Sequence, residues 1–252
     1  MWNPDVYRQF QAERDRPFFD LVAQLPVFQP VLVTDLGCGT AHQTATLAER
    51  WPQAQVTGVD SSAEMLEQAP ALPNLRLVQA DFSRWTPGAP QDLLFSNAAL
   101  HWIPDQHALI PRLAGLVAAG GVFAFQVPGN FTAPSHLLLA ELQNEPRWQG
   151  RLATEAGPAS LNPLDYADLL TPLGFQVNAW ETTYLHLLHG PDAALNWVRG
   201  TALRPVLARL SPGDAAEFEA EYGRRLRAAY PEGPSGTAFS FRRVFVVARR
   251  TS

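Results

Sequence analysis

Short apolar runs alternate with amphipathic stretches over the first 127 residues, the pattern of a parallel sheet covered by helices. The runs Val31–Leu36, Gln55–Asp60, Leu75–Gln79, Asp92–Ser96 and Val122–Val127 are nearly continuous in apolar residues, as expected of strands with both faces buried. Between them the spacing predicts helices over Ala41–Arg50 and Ala63–Ala69. A longer helix should end near Ala119, because Leu109, Leu113, Leu116 and Val117 recur at helical intervals. Pro111 should start or kink its regular part, and Gly120-Gly121 reads as a turn. From Pro128 to Asn162 the rhythm breaks into a loop-rich excursion of Pro, Gly, Asn and isolated Trp. Beyond it come a helix over Asp165–Leu173 stopped by Gly174, a strand over Phe175–Tyr184, helical pattern across 191–230, a turn-rich link Pro231–Gly236 and a last strand, Phe241–Ala248. The expected fold is a doubly wound α/β sheet of seven mostly parallel strands, with helices on both faces and helical material inserted late. Those late helices should lie over the carboxyl ends of the strands, where open α/β sheets bind ligands.

One strand-to-helix junction stands out. The first run enters Asp35, then Gly37-Cys38-Gly39, then a helix. Gly37 allows a tight turn and Gly39 lets a ligand approach the backbone. A dinucleotide fingerprint G-x-G-x-x-G/A would place His42 at its last position, where a bulky ring obstructs helix–strand packing. The pattern D-x-G-x-G-x-G places the small Ala41 there instead, with Asp35 two residues before the first glycine. Two further acids extend it. Asp60 ends the second strand, where a carboxylate can accept from a ribose diol, and Asp81 follows the third, placed for an adenine amino group. A single Asp after a strand is usually a turn former or helix cap. Three successive strands ending this way point to a ligand.

Composition narrows the class. The 252 residues are 46% hydrophobic and 17% charged with a formal net charge of -5, which argues against a nucleic-acid coat. Lys is absent and Arg takes its place throughout, which excludes Schiff-base and P-loop lysine chemistry. The one cysteine, Cys38, excludes an intrachain disulfide framework and any multi-cysteine zinc site, and a reducing, cytoplasmic setting is expected. The longest uncharged apolar stretch, Leu113–Phe125, is too short to span about 30 Å of hydrocarbon. Neither a targeting segment nor a membrane partner is expected.

The Asp35-Leu-Gly-Cys-Gly39 turn with Asp60 and Asp81 resembles the motifs of class I S-adenosylmethionine-dependent methyltransferases, which share a Rossmann-like fold. The resemblance then narrows to the trans-aconitate 2-methyltransferase family. It is carried by Trp2–Tyr7, Glu13–Pro17, Ser96–Trp102, Gln126–Asn130, Glu181–Tyr184, Trp197, Leu203-Arg-Pro205 and Arg243–Arg250. Departures are Gly-Cys-Gly-Thr-Ala-His in place of Gly-Cys-Gly-Pro-Gly-Asn, His101 in place of the usual Gln, and a poorly matching 144–162. The expected organisation is one methyltransferase domain with a core of 28–127, 163–186 and 237–252. An N-terminal lid segment, 1–27, and cap insertions 128–162 and 187–236 complete it.

The resemblance implies methyl transfer from S-adenosylmethionine to one carboxylate of a small tricarboxylate, leaving S-adenosylhomocysteine. A carboxylate is already ionised at neutral pH, so no general base and no catalytic triad is expected. Ser96, His101 and Asp105 are better read as turn and helix-start residues. A polyanion instead needs fixed guanidiniums, and Arg204 and Arg243 are the candidates because each lies in a family-like block. Arg14 and Arg16 suit either the acid or the cofactor's own carboxylate; Arg16 is assigned to the cofactor. Trp102, Tyr184 and Trp197 are candidate pocket walls, with simple core packing an equal alternative for Trp197. Gln126 is a candidate partner for a substrate carboxylate and, like Asn130, is alternatively a turn cap. Asn97 should border the reacting methyl; Met65 is a candidate cover for the adenine ring, with ordinary core packing the alternative. Ser61 and Phe82 flank the two ligand acids and join Asp35, Gly37, Gly39, Asp60 and Asp81 as cofactor candidates. His186 and His189 lack a ligand-spaced partner set, so no metal is expected. The expected partner is a small carboxylic acid, not nucleic acid, and a monomer is the expected state. A methyltransferase for another small acceptor and a non-catalytic S-adenosylmethionine-binding protein remain open from these residues alone.

Overall fold

The computed structural model describes residues 11–152 and 159–251, the first four of them as backbone only. The block Trp2–Tyr7 and the side chain of Arg14 lie outside the described residues. Five parallel strands form the heart of the sheet: β1 Leu32–Leu36, β2 Gln55–Asp60, β3 Leu75–Gln79, β4 Gln91–Asn97 and β5 Val117–Pro128. Their order is β3-β2-β1-β4-β5, and β8 Gly236–Arg250 and β6 Phe175–Leu188 extend the sheet past β5. β8 runs antiparallel to β5, with Val122 opposite Arg249 and Pro128 opposite Arg243. β1 and β4 are buried without a break over Val33–Leu36 and Leu93–Ser96, as befits strands covered on both faces. On one side Leu94, Phe123, Phe125, Val244 and Val246 pack against Leu109, Ile110 and Leu113 of the helix Gln106–Ala114 and against Tyr166. The Tyr166 ring meets Phe125 edge-on at 5.0 Å.

Several expectations change. The helix expected to end near Ala119 stops at Ala114, and Val117 already belongs to β5. Leu116 and Val117 keep helical spacing by coincidence, because a buried strand is also continuously apolar. Gly120-Gly121 is therefore no turn. It lies inside β5 where the register with β4 shifts between Gln91 and Leu93, and a Cβ on Gly121 would stand 2.9 Å from the Gln91 carbonyl oxygen. Among its described residues the excursion from 128 to 162 contains two helices, Pro134–Gln143 and Gln149–Leu152. Its proline starts the first of them, since a missing N–H costs nothing at a helix N-terminus. Finally β7, Glu232–Gly233, pairs with the beginning of β8, making eight strands where seven were expected.

The chain divides into two compact units. The sheet unit comprises Asp15–Gly129 with the described parts of 158–182 and 243–252. The other comprises the described parts of 130–157 and 183–242. Its core gathers Leu142, Trp148, Trp197, Phe218, Tyr222 and Phe239 around the helix Pro212–Ala229. Ser135 is held there twice: its N–H donates to the Tyr230 hydroxyl oxygen at 3.0 Å, and its carbonyl accepts from the Tyr222 hydroxyl at 2.7 Å.

Candidate functional site

The glycine turn at the carboxyl end of β1 is tied to the end of β2. The N–H groups of Gly37 and Cys38 both donate to the Val59 carbonyl, at 2.7 and 3.1 Å. Gly37 has φ +72, and a Cβ there would lie 2.2 Å from the Ala99 methyl carbon, so packing as well as conformation demands glycine. Gly39 has φ +56, and its absent side chain leaves a gap with the Met65 sulfur 3.6 Å from where a Cβ would stand. Asp60 latches this turn: Oδ2 accepts from the Gly39 N–H at 2.8 Å and Oδ1 from the Ser62 N–H at 2.9 Å. Each carboxylate oxygen keeps a second lone pair, so the latch and a ligand diol are compatible. Ala41 precedes the helix His42–Arg50 in a left-handed conformation, φ 54, at the position where the resembled motif quoted above carries glycine.

Asp35 lies beneath the turn, 2% exposed. Its Oδ2 accepts from the Thr44 hydroxyl at 2.6 Å, and its Oδ1 is a buried acceptor with no partner among the described residues. Burial pushes its pKa up from the ordinary 3.8 to about 7, against the pull of the Thr44 bond. Burial, reinforced by Asp35 and Asp60, likewise holds the Cys38 thiol far above its ordinary range, so it is an unreactive thiol beside the turn.

Beyond β3, Asp81 is exposed and accepts from the Ser83 N–H at 2.9 Å; the hydrogen bonds from Ser83 hold its carboxyl below the usual range. Arg112 braces the segment after it, donating to the carbonyls of Phe82 and Trp85 at 2.5 and 3.1 Å. The braced Phe82 ring stands 3.7 Å from where a Gly37 Cβ would be. Ser61 and Met65 are exposed. At the end of β4 the Asn97 amide is committed on both sides: Nδ2 donates to Gln43 Oε1 at 2.6 Å and Oδ1 accepts from Gln126 Nε2 at 2.5 Å. Gln126, 1% exposed, also accepts from Arg243 Nη1 at 3.4 Å, and Gln43 donates to Asp15 Oδ1 at 2.8 Å. The structure thus brings Asn97, Gln126 and Arg243 together, and adds Gln43 and Asp15, which the sequence pattern did not single out. No signal in the sequence marks them, because their partners lie on other elements. Arg16 is exposed and pairs with Asp20 at 3.8 Å one helical turn on. Trp102 is 55% exposed, its ring 4.7 Å from that of His101. Ser96 donates its hydroxyl to the Leu36 carbonyl at 2.8 Å, and Asp105 caps a helix by accepting from the Ala108 N–H at 3.0 Å.

In the second unit Tyr184 and Trp197 are buried. The His186 ring lies between them, 4.5 Å from Trp197 and 6.4 Å from Tyr184, so it is a packing residue of an aromatic stack. Arg204 opens the short helix Arg204–Leu207, exposed, and makes no ion pair among the described residues.

The sheet unit's donor set fits S-adenosylmethionine: a turn whose Gly39 leaves a gap where a ligand would pass, a buried acceptor in Asp35, the Asp60 carboxylate, and a thioether and a ring bordering the turn. Comparison with known proteins agrees. A family model described as a methyltransferase domain matches residues 33–121. The chain is 46% identical over 260 residues to the trans-aconitate 2-methyltransferase of Streptomyces avermitilis, covering 99% of this chain and 97% of that one. It is 44% identical over 255 residues to the enzyme of the same name from Azoarcus sp., covering 99% of both. Among solved structures the YcgJ protein of Bacillus superposes with a TM-score of 0.61 at 15% identity, over 94% of this chain and 99% of that one. A Haemonchus contortus phosphoethanolamine N-methyltransferase in complex with S-adenosyl-L-methionine gives a TM-score of 0.56 at 14% identity, over 94% of this chain and 53% of that one. At such identities these two speak for the fold.

Proposed function

The chain belongs to the trans-aconitate 2-methyltransferase family, and on that premise we propose that it converts one carboxylate of trans-aconitate, or of a close tricarboxylate relative, into a methyl ester at the expense of S-adenosylmethionine. The observation that carries this reading is identity of 42% to 46% sustained from end to end with relatives bearing that name. S-adenosylmethionine, when bound, supplies a methyl group made electrophilic by its positive sulfur. Gly37, Gly39 and Asp60 would hold it at the turn, with Asp35 beneath, Met65 and Phe82 at its flanks, Ser61 and Asp81 further out and Arg16 toward its carboxylate.

The remaining work falls to the protein's binding groups. An acid of pKa near 4 arrives ionised, so no residue needs to take a proton from it. Its oxygen has only to be stripped of water and aimed. Arg243 is suited to this: half-buried on β8, with one Nη committed to Gln126, it presents a planar fork to a carboxylate. The same task is proposed for Arg204 on the strength of its family-like block, with Tyr184, Trp197 and Trp102 excluding water. On this reading the enzyme works in the cytoplasm as a monomer on a small acid, and its net charge of -5 weighs against a nucleic-acid partner.

Incubation with methyl-labelled S-adenosylmethionine and a panel of di- and tricarboxylates should leave base-labile label on trans-aconitate. No label on any acid would overturn the proposal. Arg243→Ala and Arg204→Ala should each raise KM for the acid about tenfold or more while cofactor affinity survives. Collapse of cofactor binding instead would remove these arginines from the acid's side.

A further inference from the structure

Four hydrogen bonds join five side chains from five elements of the sheet unit into one file: Arg243 of β8 to Gln126 of β5, to Asn97 of β4, to Gln43 of the helix His42–Arg50, to Asp15 of the helix Gln11–Ala23. Arg243 can only donate, and an ionised Asp15 can only accept. Each of the three amides between them accepts from one neighbour and donates to the next. With the ends fixed by charge, only this direction leaves no donor facing a donor. Reversing one amide would break two bonds, and at Gln126, 1% exposed, water is not at hand to replace them.

We propose that Asp15 is a positioning residue for the acid-binding Arg243. Its carboxylate fixes the direction of the amide file from the end opposite Arg243, so that Gln126 is held with its oxygen, and not its NH2, toward the guanidinium. A Gln126 facing the other way would set two donors against each other and displace Arg243 from its place beside the strand. The inference rests on the reading that Arg243 binds the acid.

Replacing Asp15 by Asn tests it, because an amide at position 15 can accept or donate and so leaves the Arg243 end alone to oppose the reversed direction. In Asp15→Asn, KM for trans-aconitate should rise about fivefold, the worth of one net hydrogen bond, with kcat and the dissociation constant for S-adenosylmethionine held within about twofold. Adding Gln43→Glu moves the anion one step along the file. The carboxylate introduced at position 43 can only accept from Asn97, the amide at position 15 now donates to it, and KM should return to within about twofold of the parent. An unchanged KM in Asp15→Asn, a parallel loss of cofactor affinity, or no recovery in the double variant would each overturn the proposal. The direction is also readable without turnover. Hydrogen exchange of the Asn97 and Gln126 side-chain amides should quicken about fivefold or more in Asp15→Asn and slow again in the double variant. If the parent methylates no acid, that exchange pattern still decides whether Asp15 sets the file, while the acid reading fails by itself.

Discussion

At the scale of single residues, Asp35 is the sharpest departure from ordinary behaviour. The folded protein keeps a proton on it up to about pH 7, whereas the unfolded chain releases that proton near the ordinary 3.8. Between those values the unfolded state binds fewer protons, so stability falls as pH rises, by at most about 1.4 kcal/mol per pH unit, and levels off above the folded pKa. Urea unfolding at a series of pH values from about 5 to 8 should show this slope, and Asp35→Asn should flatten it. Equal slopes in the two proteins would mean that Asp35 ionises freely. Asp35, Gly37, Gly39, Asp60 and Asp81 were legible as a set because the spacing of acids and glycines after strands is local information. That Asp60 grips the turn's Gly39 N–H was not, since it depends on how two strand ends meet. Gln43 and Asp15 were invisible for the same reason: an amide early in a helix acquires a task only when strands far along the chain supply its partners.

At the scale of elements, the two glycines of the turn make opposite predictions. Gly37→Ala would drive a methyl to 2.2 Å from Ala99, backbone-borne packing that has little room to give, so destabilisation of about 2 kcal/mol or more is expected, visible as a lowered urea midpoint. Gly39→Ala meets only ordinary contact at 3.6 Å from a flexible sulfur, and costs about 1 kcal/mol for its left-handed φ. It should fold, yet bind S-adenosylmethionine at least about tenfold more weakly by calorimetry, because the new methyl stands where a ligand would pass. Similar losses of stability in both variants, with binding intact, would remove the turn from the ligand's path. The strands β2 and β3 were legible to the residue. The errors cluster where one apolar run serves two periods, as at Leu116 and Val117, and where proline and glycine have two uses: Pro134 begins a helix and Gly120-Gly121 sit in a bulge.

At the scale of the whole molecule, the mostly parallel, helix-covered sheet was implied by the alternation of strand and helix, but the second unit's core was not. Trp148, Trp197, Phe218 and Tyr222 come from segments with no shared period, so their meeting is a tertiary fact. That core offers a test of whether the unit has a stability of its own. Tyr222→Phe removes the hydroxyl that donates to Ser135, leaving a buried carbonyl short of a partner, and should cost about 1–3 kcal/mol. Scanning calorimetry should register the loss while affinity for S-adenosylmethionine stays within about twofold of the parent. A weakened affinity would tie the two properties together. The placement of β8 has a last consequence, for biosynthesis. It leaves the ribosome well after β5 and β6, yet it sits between them in the sheet. Until those fifteen residues emerge, the nascent chain carries an unzipped seam along β5, an adhesive edge for chaperones or aggregation to find.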